Sequence, residues 1–204
     1  NLSNLKDIAN EAWNNLTEFV KLQKNEDQNH FEKKYEGYLA LHQKDDLKAY
    51  YIFKELSTTS RELSIDPDVN FYLDVAENRI REKYFFVDET FEQESFEYAN
   101  NIYFAYDYKD GSKDIVYFKG VTTVEETGNS IQYLRDLSIV TISPSGEIYK
   151  TMNVPYAKVL PVSTDVLNET TKQLFEIDEN TRSIPYIMLC SIGRTDPNTK
   201  IKPT

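Results

Sequence analysis

Hydrophobic spacing in this chain changes once, near Tyr84, and that change limits the folds open to it. Before Tyr84 the apolar residues recur three and four apart, the repeat of a helix; after it they alternate, the repeat of a strand. A block of helices followed by a block of strands, without interleaving, predicts an α+β protein. The expected architecture is N-terminal helical hairpins followed by an antiparallel β jelly roll or open sandwich. The expected divisions are a helical module over 1–83, a β domain over 84–192 and a polar tail over 193–204.

The strand half is organised around Asp136 to Pro161. Leu137 to Ile142 reads as a strand, Ser143-Pro144-Ser145-Gly146 as a tight turn, and Glu147 to Val154 as the returning strand, with Tyr156 to Pro161 continuing beyond Pro155. Pro144 pre-sets φ for the second turn position and Gly146 accepts φ > 0. Further strands are expected over Tyr84 to Val87, Phe91 to Tyr98, Asn101 to Tyr108, Asp114 to Val124, Gln132 to Ile142, Lys172 to Ile177 and Ile184 to Cys190. Asp110-Gly111, Thr127-Gly128-Asn129 and the polar run Ser163 to Thr170 separate them.

In the helical half, Leu5, Ile8, Ala9, Ala12, Leu16, Phe19 and Val20 form an amphipathic stripe after an N-cap at Ser3, with Trp13 as a core flank in the preferred reading and a contact residue in the alternative. Lys24 to Asn29 reads as a polar connection. Helices are then expected over His30 to His42, Asp45 to Ser64 and Val69 to Lys83. Gly37, the turn Lys44-Asp45-Asp46, and Ala49, Phe53 and Leu56 resemble one degenerate tetratricopeptide repeat, whose small residues let paired helices approach closely.

Composition narrows the function. The 204 residues carry a formal charge of −11, which repels nucleic-acid phosphates and anionic membrane surfaces, so no nucleic-acid partner is expected. The single Cys190 cannot form an internal disulfide and reads as a small buried residue. The chain begins at Asn1, so an excised segment or mature product is expected.

No catalytic constellation is visible, and the expectation is a protein that is not an enzyme. The only two His, at 30 and 42, lie in the helical half, and no G-x-S-x-G elbow, Gly-rich phosphate loop or Cys/His cluster occurs. Neither a cofactor nor a metal is expected. Asp66, Asp68, Asn70 and Glu77 do match the spacing of a calcium loop, but Phe71 stands where such a loop needs Gly. The preferred reading is a helix–turn–helix link capped by Asp68. A carboxylate-pair hydrolase trails as a third class, with Asp88-Glu89, Glu92, Glu94 and Glu97 read as solvated strand faces.

The hairpin residues Ile139, Val140, Ile142, Ser145 to Ile148 and Tyr156-Ala157-Lys158-Val159, with Asn101 to Val121 before them, resemble the periplasmic β-jelly-roll domains of lipopolysaccharide-export permeases. The resemblance spans Tyr84 to Ile177. It implies a periplasmic location, a lipid or lipid-like amphiphile as ligand, other β-jelly-roll envelope proteins as partners, and membrane attachment through segments outside this sequence. An acyl-chain groove would be lined by side chains of one parity, and Ile102, Phe104, Tyr106, Ile115, Tyr117, Leu137 and Ile139 are the expected lining. The alternative function is an envelope or secreted protein–protein interaction module that docks partners on its helices.

Overall fold

The computed structural model describes residues 2–59, 66–91, 96, 99–126 and 128–204. It divides into two compact units, Asn1–Ile80 and Arg81–Thr204. The first is helical and the second is built on antiparallel sheet, the α+β class that the spacing predicts.

The helical unit contains α1 (Leu2–His42), α2 (Asp46–Thr59) and α3 (Pro67–Ile80). α1 runs unbroken through Lys24–Asn29, where a connection was expected. That stretch is polar but holds no Gly or Pro, and its residues each cost at most about 0.7 kcal/mol in a helix. Gln28 Nε2 also donates to Glu32 Oε1 one turn on, at 2.8 Å. α1 stops at Lys44, in the left-handed region at φ 61°, where the Asp45 N–H bonds back to the Ala40 carbonyl at 2.9 Å. Asp45 then caps α2 by accepting from the Lys48 N–H at 3.2 Å. Lys44→Gly should therefore raise the unfolding free energy by about 0.5–1 kcal/mol, because only glycine occupies this conformation without strain. Urea denaturation of the two proteins checks it.

α3 begins with Pro67 in its first turn, and its cap is Asp66 rather than the expected Asp68, since Asp66 Oδ1 accepts from the Asp68 N–H at 3.1 Å. The core joins Ala40 of α1 to Ala49, Tyr50, Phe53 and Leu56 of α2 and to Val69, Ala76 and Ile80 of α3. Gly37 permits this packing: a Cβ there would lie 2.7 Å from Phe53 Cζ. Tyr38, Phe53 and Tyr72 stack around the contact, with the Tyr38 and Tyr72 ring centres 4.7 Å apart.

The second unit opens with β1 (Phe85–Phe86) and the short α4 (Asp88–Phe91). The expected strand Phe91 to Tyr98 lies largely outside the described residues; Phe91 ends α4 and Phe96 is buried. Then follow β2 (Ile102–Asp107), β3 (Lys113–Phe118), β4 (Gly120–Glu126), β5 (Asn129–Ile142), β6 (Ile148–Ser163) and β7 (Ser183–Met188). They form one open, curled sheet in the order β2-β3-β5-β6-β7, with β4 on β5 in line with β3. The Ser143–Gly146 turn joins β5 to β6 as expected: Gly146 sits at φ 88° and its N–H bonds to the Ser143 carbonyl at 2.9 Å.

One expectation fails in the last quarter. Lys172–Ile177 is not a strand, because Asn168 caps a helix, α5 (Glu169–Leu174), by accepting from the Thr171 N–H at 2.7 Å. The residues after it pair through their backbone. β8 (Ser191–Ile192) pairs in parallel with β1 and antiparallel with β9 (Lys200–Ile201), and Thr204 exchanges two backbone bonds with Asn153, each 2.9 Å.

A crease crosses the large sheet. β3 and β4 are one bent strand broken at Lys119; opposite lies Asp136 of β5, at φ 50°, and opposite that Pro155 of β6. The ladder skips from Arg135↔Tyr156 to Leu137↔Val154, so the missing N–H of Pro155 leaves no bond unmade between these strands. At this line each strand loses its alternation and its two faces change places. Ile131 and Tyr133 pack with Phe85, Phe96 and Met188, whereas Leu137, also odd-numbered, packs with Leu134, Val154 and Ala157. Phe118 and Val121, either side of Lys119, likewise join the same cluster.

Candidate functional site

Beyond the crease, β2, β3, the second half of β5 and the first half of β6 make a four-strand surface whose register decides which candidate residues meet. Phe104, Val116, Ile139 and Met152 form one row across it, Tyr106, Asp114, Thr141 and Lys150 the next, and Ile102 stands opposite Phe118. Ile102, Phe104, Tyr106, Leu137 and Ile139 thus share a face. Ile115 and Tyr117 do not. They pair with Ala105 and Tyr103 and lie on the opposite face, because the Asp110–Ser112 turn sets odd β2 residues against odd β3 residues. Leu137 belongs to the core, at 2% exposure.

β2 is exposed along its whole length, with Tyr103 at 77% and Phe104 at 53%. Its inner groups are fixed by β3: the Tyr108 N–H bonds to the Ser112 carbonyl at 2.8 Å, so even-numbered residues bond inward. Antiparallel alternation then turns the N–H and C=O of Tyr103, Ala105 and Asp107 outward, and no described residue pairs with them. The edge carries no Pro, Lys or bulge to blunt it. β7, by contrast, holds Pro185. β6 offers a second open stretch, Ile148–Met152, beyond the Asn153–Thr204 bridge, with Ile148 and Tyr149 exposed.

On the face of Tyr117, a mainly apolar cleft of about 590 Å³ lies between Ser138, Asn153 and Pro155 of the sheet and Ile201, Lys202 and Thr204 of the tail. On the other face, Tyr108 donates to Asp114 Oδ2 at 2.7 Å beside the Tyr106 ring. That bond, with lesser help from burial, pushes the Tyr108 phenol up to about 12, so it stays a neutral donor at physiological pH. A second cleft of about 480 Å³, beside α5, is polar and acidic, lined by Asp165, Glu169, Lys172, Glu176 and Asp178 among others.

The calcium-loop spacing has another occupant. Residues from Pro67 onward are helical, and the Lys34 ammonium sits 2.9 Å from both Asp66 Oδ2 and Asp68 Oδ2, where a cation would be held. His30 Nε2 approaches Asp66 Oδ2 at 3.3 Å. The bond from Lys34 outweighs burial and holds the Asp66 carboxyl below its ordinary range. Among the described residues, no group of three or more His, Cys, Asp or Glu is placed to hold a metal, and no helix is long and apolar enough to cross a membrane.

Fold and surface together define an α+β protein whose open antiparallel sheet presents an aromatic edge. Comparison with protein-family models, with curated proteins and with solved structures finds no match to this chain.

Proposed function

We propose that the chain is a non-enzymatic module of a cell-envelope lipid-transport system, in which β2 receives the edge strand of a partner sheet. The observation that carries this reading is the outward row of N–H and C=O groups on Tyr103, Ala105 and Asp107, flanked by apolar side chains on both faces. In strand addition the main-chain bonds supply affinity and alternate side chains supply selection. The likeness of Asn101 to Val121 and Asp136 to Pro161 to the jelly rolls of lipopolysaccharide-export permeases supports a periplasmic jelly-roll partner. A lipid-like amphiphile would lie across Phe104, Tyr106 and Ile139, whose side chains stay accessible; Leu137 would stay beneath it as core.

Ala105→Pro tests the edge. The Ala105 N–H points away from β3, so proline removes no internal bond while blocking an incoming strand. With a photocrosslinking residue at Tyr103 in cells, the expected result is a protein adduct that falls at least about tenfold in the Ala105→Pro background, equivalent to about 1.4 kcal/mol. Thermal melts of the two proteins should coincide. An undiminished adduct would sink the edge reading. The same crosslinker at Ile139 should capture lipid, and protein adducts alone there would remove the amphiphile.

A further inference from the structure

We infer that α1 carries, over residues 8–22, a self-association stripe that pairs in parallel with the same segment of a second copy of this chain. α2 and α3 cover only the last turns of α1. Residues 8–29 would extend roughly 33 Å at 1.5 Å per residue, and the described side chains over that span are exposed, except for a half-buried Thr17. An isolated helix shows no reason to carry large apolar residues in one stripe, yet Leu16, Phe19 and Trp13 are 55%, 62% and 69% exposed, with Ile8, Val20 and Leu22 alongside.

The stripe is self-complementary. Ala12, Leu16 and Phe19 fall at alternating four- and three-residue steps, the seam of a two-stranded coil. Ile8, Asn15 and Leu22 flank it on one side, Trp13 and Val20 on the other. A parallel two-fold pair brings opposite flanks together, so Ile8 meets Trp13 of the second copy and Asn15 meets Val20. Glu11 and Glu18 lie outside the first flank and Lys24 outside the second, so Glu18 approaches Lys24 of the partner. An antiparallel pair would set the glutamate flank against itself. Gln23 and Glu26 fall at the next two seam positions and end the apolar stripe at Leu22. Residues 8–29 as a whole, with Glu11, Glu18, Glu26 and Asp27 against Lys21 and Lys24, are net acidic, which disfavours an anionic lipid surface.

Area fits a pair that forms and parts. The six large side chains present on the order of 600 Å² of surface per copy, taking usual side-chain areas, against roughly 800 Å² per partner in a standard stable interface. The inference does not depend on β2.

The test is light scattering and sedimentation of the full chain across concentration, with the emission of Trp13, its only tryptophan, as a local probe. A concentration-dependent dimer whose Trp13 emission shifts to the blue is expected. Leu16→Asp and Phe19→Asp should each raise the dissociation constant at least tenfold, Glu18→Lys should weaken the dimer, and Glu18→Lys with Lys24→Glu should restore it. Leu16→Cys in a Cys190→Ser background should crosslink to itself on oxidation. Ala105→Pro should leave the dimer intact, which separates this result from the fate of the edge proposal. A chain that stays monomeric at every concentration overturns the inference. So does a dimer indifferent to Leu16→Asp, failure of Leu16→Cys to crosslink, or a Trp13 shift seen only with added phosphatidylcholine vesicles.

Discussion

Lys158→Met is expected to destabilise the β unit by about 2–4 kcal/mol, a little under the roughly 3–5 kcal/mol for stripping one partner from a fully buried ion pair. Lys158 Nζ lies 2.6 Å from Glu89 Oε2, and both side chains are mostly covered. The Tyr133 phenol donates to the same carboxylate, and the Phe86 N–H donates to Glu89 Oε1 at 3.1 Å. Lys158 also sits over the Tyr133 ring. Remove the ammonium and a carboxylate stays at the edge of the Phe85–Tyr133–Met188 core without that cation, while Tyr133 and Phe86 still donate to it. Glu89→Gln with Lys158→Met should recover much of the loss, because no charge is then stranded.

The sign of the pH dependence follows. Burial pushes the Glu89 carboxyl up, but its bonds from Lys158, Tyr133 and Phe86 outweigh that, and the folded value lies below the ordinary 4.5. Its contribution is therefore complete above that value and fades as pH falls through the depressed folded value. The wild type should lose stability on acidification below about pH 4.5, and Lys158→Met should show a flatter profile there. Equilibrium denaturation at a series of pH values decides it, and parallel profiles would mean that the pair is not a stabilising contact.

Leu137→Ala should lower stability by about 3 kcal/mol, in the range for a fully buried leucine. The exposed Ile115, expected from alternation to share its face, should lose well under that on the same change. Asp136→Val should also be costly. A β-branched residue holds φ 50° only under strain, and if residue 136 became extended instead, β5 would alternate straight through and bring Leu137 and Ile139 into phase with Ile131 and Tyr133 on the wrong side. A loss of about 1–3 kcal/mol is expected in equilibrium denaturation. Asp136→Gly keeps the crease and should be neutral or stabilising by up to about 1 kcal/mol. If Asp136→Val is as stable as the wild type, the left-handed residue does not hold the crease.

What the sequence made legible was local. Ser143–Gly146 declared its turn because Pro144 and Gly146 each have one physical use there. The class followed from the change of period near Tyr84. The phase of each strand was not legible, because Val116 and Tyr117, or Ile139 and Val140, are apolar in both parities, and only the register across the Asp110–Ser112 turn chooses between them. Nor does a lone Asp136 announce a left-handed residue. α5 did leave a signal, an Asn168 cap followed by the Glu169–Lys172 pair, which the apolar Leu174 and Phe175 masked; both are in fact exposed. At Lys24–Asn29, polarity suggested a break that only Gly or Pro would have enforced.

The two open stretches of backbone, β2 and Ile148–Met152, lie on opposite margins of the same four-strand surface. A sheet with one such margin can only end a row of sheets. One with two can sit inside it, hydrogen-bonded left and right at once, and the apolar row from Phe104 to Met152 would then run from one neighbour to the other as a continuous track. Thr204, bonded to Asn153 at the limit of the second margin, sets how far a neighbour on that side can zip.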